Sequence, residues 1–173
     1  SFSLLSKFNF EEIDTSNISK INYYNKYLQY LDSGKTGDLI KSYTIKKDNI
    51  KEGLEFIKKK SELKNIKIID VNKENLPEII NNITKYKSLL DEIEINKIDF
   101  VEDAELNGNI HSKNVSIKNG NLNVKYIRGL SLAFIKDNEY LINLSLEKIG
   151  LTNRCLIYLM NIFHKKEHFL KNL

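Results

Sequence analysis

Segments typical of strands and of helices alternate between residues 37 and 101, and this alternation limits the folds open to the chain. Residues 38–45 resemble a strand, and two apolar, β-branched runs follow at 65–71 and 93–101. Between these strands, residues 49–63 and 76–90 carry apolar side chains at helical spacing. Consecutive strands that are joined through a helix run in the same direction, so this part predicts a βαβαβ unit with a sheet at least partly parallel.

The pattern changes after residue 101, where turn signals replace helical spacing. Asn119-Gly120 is a strong short-range signal for a β-hairpin, because both central residues of a type I′ turn need a positive φ. This turn would pair Ile117 with Leu122, which puts apolar residues on one face of the hairpin. We therefore predict an antiparallel hairpin about Asn119-Gly120.

A second hairpin and a closing helix are predicted for the rest of the chain. The apolar runs 130–135 and 140–144 would pair as two further antiparallel strands. Gly150 then breaks the chain, and Thr152 or Asn153 can cap a last helix.

These elements predict an α/β, or mixed α+β, fold. It has a central mixed sheet from βαβαβ and two C-terminal antiparallel hairpins, with helices on the sheet and a closing helix. The length of 173 residues favours a single domain over 1–173. Its expected parts are an N-terminal helical segment (1–36), the βαβαβ part (37–101), the hairpin part (109–145) and the C-terminal helix (151–173). No internal repeat is expected.

The composition argues against a dedicated nucleic-acid reader. The formal charge is +4, but only Arg128 and Arg154 among the 27 cationic residues are arginine. Lysine, asparagine and isoleucine recur throughout, as expected from an A+T-rich genome. Proteins that read DNA or RNA usually use arginine and a clustered basic stripe. Nucleic-acid contact is therefore expected only weakly, through the lysine-rich surface, or through a further domain upstream.

Cysteine usage and hydropathy predict a cytoplasmic protein. Cys155 is the single cysteine and cannot form an internal disulfide, which favours a reducing compartment. No apolar run approaches the roughly 20 residues needed to cross a bilayer, so no membrane segment is expected.

Residues 91–105 are the acidic part of the chain and contain the weak metal-ligand candidates Asp99, Glu102 and Asp103. A metal-dependent nuclease could use such carboxylates to hold divalent ions. The Glu-x-Lys tripeptide that commonly accompanies them is missing here. A solvated acidic edge is the expected interpretation, with no metal and no cofactor.

His111 and Lys113 form a His-x-Lys pair that resembles the start of the signature of phospholipase D-like phosphodiesterases. That resemblance implies a nucleophilic histidine and a lysine that binds phosphate. The aspartate of the signature would fall at position 118, which is a lysine, and a second copy of the motif is absent. The motif therefore predicts no catalytic residue in this chain.

The predicted hairpin gives His111 and Lys113 another potential role. Its register places Lys113 opposite Tyr126 and His111 opposite Arg128, all on one face. Arg128 could bind an anion as a forked donor, Lys113 as a point charge and His111 as a pH-sensitive donor. We predict a site for a small anionic ligand at His111, Lys113, Tyr126 and Arg128.

The order of elements resembles degenerate phospholipase D-like or TrmB-type effector domains, which lie downstream of winged-helix segments in transcription regulators. This resemblance implies a non-enzymatic ligand-sensing or effector domain of a regulatory protein, with self-association as a dimer. Two alternatives stay open: a nucleic-acid-processing enzyme, metal-dependent or phosphodiesterase-like, and a structural protein–protein interaction module.

Overall fold

A six-stranded parallel sheet forms the centre of the protein, and its strands lie side by side in the order of the chain. Each neighbouring pair is parallel. The computed structural model describes residues 12–13, 41–59, 62–72, 74–86, 88–97, 109–121 and 124–164.

Strands and helices alternate along most of the described chain. The strands are β1 (Glu12–Ile13), β2 (Ser42–Lys46), β3 (Asn65–Ile69), β4 (Leu90–Asn96), β5 (Ser112–Lys118) and β6 (Asn143–Glu147). The helices are α1 (Ile50–Lys59), α2 (Leu76–Ile83), α3 (Val124–Phe134) and α4 (Asn153–His164). The predicted βαβαβ part is therefore confirmed as β2-α1-β3-α2-β4, and the α/β class with it.

A common register aligns equivalent apolar side chains of β2 to β6 across the sheet. Alternate residues of a strand point to opposite faces, so these residues form straight rows on one face. The first row is Tyr43, Ile66, Ile93, Val115 and Leu144, and the second is Ile45, Ile68, Ile95, Ile117 and Leu146. All are buried except Leu146, which is partly buried and packs against the same core.

The strands also share a sequence pattern, apolar-x-x-apolar-x-apolar, so the chain contains an internal repeat that was not predicted. The pattern is complete in Leu63-Ile66-Ile68, Leu90-Ile93-Ile95 and Leu141-Leu144-Leu146. In β5 the buried Ser112 occupies the first position. The repeats recur at intervals of about 22 to 29 residues, within the range of strand–helix solenoid repeats.

Each of the strands β3 to β6 ends in the same backbone conformation. The next residue is Asp70, Lys97, Asn119 or Lys148, and its φ lies between 53° and 55°. The N–H groups of the first three of these donate hydrogen bonds of 3.0–3.1 Å to the last carbonyl of the following strand. One left-handed residue therefore ends each of these strands, and in β3, β4 and β5 it also ties the strand to the next one.

The four helices lie on the apolar face of the sheet, since they bury their apolar side chains in the same core as the two rows. In α1, the Phe56 ring stacks on Tyr43 with ring centroids 4.4 Å apart. Gly53 lets α1 approach β2 closely, because a Cβ there would lie 3.0 Å from Ile45 Cγ1. Glycine has a low helix propensity and so destabilises α1 slightly, but it allows the close packing of α1 on β2.

The predicted hairpin about Asn119-Gly120 is wrong. Asn119 has the required positive φ, but Gly120 does not, and a type I′ turn needs both. The N–H of Asn119 instead donates to the carbonyl of Glu147 in β6. The chain then continues into α3, so β5 gains a parallel partner instead of an antiparallel one.

The second predicted hairpin is also wrong, because residues 130–134 belong to α3. Ile127, Leu130 and Phe134 are buried at helical spacing, so this apolar run packs as a helix instead of a strand. The expected mixed sheet is therefore a parallel one.

The closing helix is confirmed as α4. Thr152 Oγ1 accepts a hydrogen bond from the Cys155 backbone N–H at 3.4 Å, as expected of an N-cap residue. Of the predicted N-terminal helical segment, residues 1–36, the structure describes Glu12–Ile13 alone, and these two residues form β1 instead of a helix; the rest of the segment lies outside the described residues.

Candidate binding face of the sheet

The face of the sheet opposite the helices, called the open face below, carries mainly polar side chains. None of the helices in the described part of the chain packs on it. Its three rows are Ser42, Asn65, Glu92, Asn114 and Asn143; Thr44, Lys67, Glu94, Ser116 and Ser145; and Lys46, Ile69, Asn96, Lys118 and Glu147. Fourteen of these fifteen residues are polar or charged. Ser42, Thr44 and Ser116 are buried, Ser145 and Glu147 are exposed, and the others are partly buried, so the accessible hydrogen-bonding groups lie mainly on β3 to β6.

Amide side chains connect neighbouring strands on this face. Asn143 Nδ2 donates to Asn114 Oδ1 at 2.5 Å, and Asn114 Nδ2 donates to the Asp91 carbonyl at 2.7 Å. This chain of hydrogen bonds crosses β6, β5 and β4. It holds the amides of Asn114 and Asn143 in a fixed geometry before any partner binds, which lowers the entropic cost of binding.

A second network surrounds Glu94 on the central strand β4. Asn96 Nδ2 donates to Glu94 Oε1 at 3.2 Å, and Asn119 Nδ2 donates to Asn96 Oδ1 at 2.9 Å. Lys118 Nζ lies 3.9 Å from Glu94 Oε2, which is the distance of a loose ion pair. The Glu94 side chain is only 16% exposed, so its carboxylate is partly shielded from water and held in place.

Ser116 contributes a hydroxyl group without a hydrogen-bond partner within the described residues. Its Oγ is buried, and the residue is 7% exposed. Ser116 lies between Glu94 of β4 and Ser145 of β6 in the second row. Buried hydroxyl groups normally have a partner, so this one offers a donor and acceptor to water or to a bound group.

Asp91 and Lys113 form a close ion pair, with Nζ and Oδ1 2.6 Å apart. The hydrogen bond from Lys113 lowers the pKa of the Asp91 carboxyl below its ordinary value, and the lysine's charge adds to the effect. Both side chains are more than 40% exposed, so water screens the pair and it contributes less than about 1 kcal/mol to stability.

We expect Lys113→Met to raise the pKa of Asp91 towards its ordinary value. Because the folded-state pKa of Asp91 is lowered, the pair stabilises the fold above the carboxyl's unfolded-state pKa. This small contribution is lost as the pH falls through the folded-state pKa. NMR titration of the Asp91 carboxyl carbon measures the shift. Lys118→Met removes the cation beside Glu94 and should leave the pKa of Asp91 unchanged. An equal Asp91 pKa in wild type and in Lys113→Met would contradict the ion pair.

His111 lies directly before β5 and Lys113 lies near its start, and the side chains of both residues contact neighbouring groups. The His111 ring meets the Tyr140 ring edge-on, with centroids 5.6 Å apart, and its Nδ1 is buried without a hydrogen-bond partner in the described chain. Lys113 is held by Asp91. Lys113 lies on β5, a strand of a parallel sheet, and His111 is the residue directly before that strand.

Tyr126 and Arg128 lie in α3, on the side of the sheet that carries the helices. Arg128 is exposed. The pairing register that was to place them opposite Lys113 and His111 does not exist, since β5 pairs with β4 and β6. Anion binding by these four residues stays a prediction without that geometric support.

The weak metal candidates Asp99, Glu102 and Asp103 lie outside the described residues. Among the residues that the structure does describe, no group of three or more histidine, cysteine, aspartate or glutamate side chains could hold a metal ion.

The open face was not predicted from the sequence, although the sequence contains a signal for it. The polar residues that alternate with the apolar pattern in β2 to β6 occupy equivalent positions in every repeat. Once the repeat is recognised, these positions identify the rows directly.

Of the helices described, none is long and apolar enough to cross a membrane. Comparisons with protein-family models, with curated proteins and with solved structures each found no match.

Proposed function

We propose that this chain is a protein-interaction module that binds a polypeptide segment on the open face of its sheet. One observation carries the proposal: the common register lines up three rows of mainly polar side chains across five strands, while the helices lie on the other face. Parallel sheets usually have both faces covered by helices. A parallel sheet with a polar second face provides a broad and rigid surface for a partner.

The architecture supports this proposal because it resembles that of strand–helix solenoids of the leucine-rich type. Neighbouring strands lie about 4.8 Å apart, whereas packed helices need 8–10 Å. A sheet with helices on one side therefore curves, and we expect the open face to be its concave side. Solenoids use such extended concave surfaces for binding.

The charges of the open face favour a polypeptide over a nucleic acid. Lysines at positions 46, 67 and 118 are balanced by glutamates at 92, 94 and 147. The carboxylates would repel phosphates, and nucleic-acid binding needs a basic stripe. A protein segment with side chains of both signs complements this mixture, and the serine and asparagine residues add adaptable hydrogen bonds.

The small cavity among β5, β6, α3 and α4 gives no support to the alternative of a ligand-sensing domain. It has a volume of about 10 Å³ and is lined by apolar side chains and Ser131. Pockets for small molecules measure roughly 300–1,000 Å³. The cavity is a packing gap and has no room for an effector.

Selection of peptides from a random displayed library tests the proposed function. We expect the wild-type chain to enrich a set of related peptides. The variant Glu92→Lys/Glu94→Lys reverses two charges at the centre of the open face. We expect it to lower the affinity for the selected peptides at least about tenfold. Fluorescence anisotropy with labelled peptides measures the affinities.

The matched control is Lys51→Glu/Lys58→Glu, which reverses two exposed charges on α1. It should leave peptide affinity unchanged, and circular dichroism should show both variants folded. Equal affinity for all three proteins, or a loss confined to the α1 variant, would contradict binding on the open face.

A further inference from the structure

The last described repeat leaves an apolar surface on α4. Leu156 is 46% exposed, Ile157 61% and Met160 54%. Cys155 and Leu159 of the same helix are buried in the core. Terminal repeats of solenoids normally carry a polar outer face, so these three side chains are unusual for the end of a stack.

The three side chains form a single stripe, called the α4 stripe below. At 100° per residue they fall within an arc of about 100° on the helix. Their exposure places the stripe on the flank that α3 does not cover, since α3 and α4 pack against each other. The stripe therefore lies on the last described helix of the helical layer.

The end of the sheet layer is β6, and its outer edge has no strand partner among the described residues. Edge strands are usually protected by charges, proline or a bulge. The sequence of β6 is Asn-Leu-Ser-Leu-Glu, with Glu147 as its single charge. A sheet edge and an apolar helix flank are thus open at the same end of the protein.

We propose that this end docks onto the same end of a second copy of the chain. The two β6 strands pair antiparallel around a two-fold axis at Ser145, and the two α4 stripes meet on the helical side. In this register Leu144 of one copy lies opposite Leu146 of the other, and Asn143 opposite Glu147. No like charges oppose each other within the strand pair.

The charges that flank β6 are complementary in this arrangement. The turn before β6 carries the exposed Glu139, and the exposed Lys148 follows β6 directly. Antiparallel pairing brings Lys148 of each copy to the level of Ile142 in the other, next to the turn that carries Glu139. Two symmetric Glu139–Lys148 attractions would therefore stabilise the dimer, and this self-complementarity favours a second copy over an unrelated partner.

Sedimentation velocity over a range of concentrations tests the dimer. Because the contact consists of one five-residue strand and one helical stripe, we expect a dissociation constant in the range of roughly 1–100 μM. Ile157→Glu should raise it at least tenfold. Lys51→Glu on α1 is the control and should leave it unchanged.

A charge swap tests the orientation independently of the apolar stripe. Glu139→Lys and Lys148→Glu should each weaken the dimer about threefold to tenfold, and the combined variant should restore wild-type affinity. A wild-type chain that stays monomeric up to 1 mM would overturn the proposal. A dimer that Ile157→Glu leaves intact, or single charge variants that the double variant does not rescue, would also overturn it.

Discussion

Replacement of Ile93 by alanine should lower the free energy of unfolding by about 3–4 kcal/mol. Ile93 is fully buried at the centre of the first apolar row, on the middle strand β4. Removing its outer carbon atoms takes away hydrophobic burial and leaves a cavity between the sheet and the helices, a combination that costs 2–5 kcal/mol in well-packed cores. Urea unfolding followed by circular dichroism measures the change.

The neighbouring residue Glu92 provides the control, because it lies on the same strand but points to the open face. Glu92→Ala should change stability by less than about 0.5 kcal/mol. If both variants cost similar amounts, β4 would not have one buried and one open face.

Replacement of Asn138 by alanine should cost about 2–3 kcal/mol, although it removes no apolar contact. Asn138 is 1% exposed and lies between α3 and β6. Its Nδ2 donates to the carbonyls of Ser112 and Phe134, at 2.8 and 3.1 Å, and its Oδ1 accepts from the Tyr140 N–H at 3.2 Å. Alanine would remove the buried donor to the Ser112 and Phe134 carbonyls, and a buried backbone group that loses its hydrogen bond is costly.

Asn143→Ala is the matched control, since Asn143 also links two strands through its amide but is only partly buried. Water can replace its hydrogen bonds, so we expect a loss below about 1 kcal/mol in the same urea titration. An Asn138→Ala variant as stable as Asn143→Ala would show that the turn before β6 does not depend on the buried amide.

The sequence indicated the βαβαβ part because its signals are local. Apolar spacing in α1 and α2 and the β-branched runs of β3 and β4 agree with the observed elements. Pro77 in the first turn of α2 and Thr152 before α4 are likewise local signals that the structure bears out. Such features depend on neighbouring residues alone, so they can be predicted without the rest of the fold.

Asn119 shows where local signals fail. Its left-handed backbone was predicted correctly, but the same conformation follows β3, β4 and β6, at Asp70, Lys97 and Lys148. In those repeats the left-handed residue ends a strand of a parallel sheet. The partner that accepts the Asn119 N–H is Glu147, nearly thirty residues away, and nothing near Asn119 reveals it.

The repeat itself was missed because its spacing varies and its composition hides it. Isoleucine occupies many of the pattern's positions, and Ser112 replaces the expected apolar residue in β5. Isoleucine is frequent throughout this chain, so the pattern differs little from the background. The open face depends on the repeat, and its rows become visible only when the strands are aligned.

An NMR titration of the isotope-labelled chain with one selected peptide tests binding on the open face most directly. We expect backbone amide shifts to concentrate on β3 to β6, around Glu92, Glu94 and Ser116, and the α1 amides to stay unchanged. Shifts confined to the helices, with the open-face strands unaffected, would contradict the account.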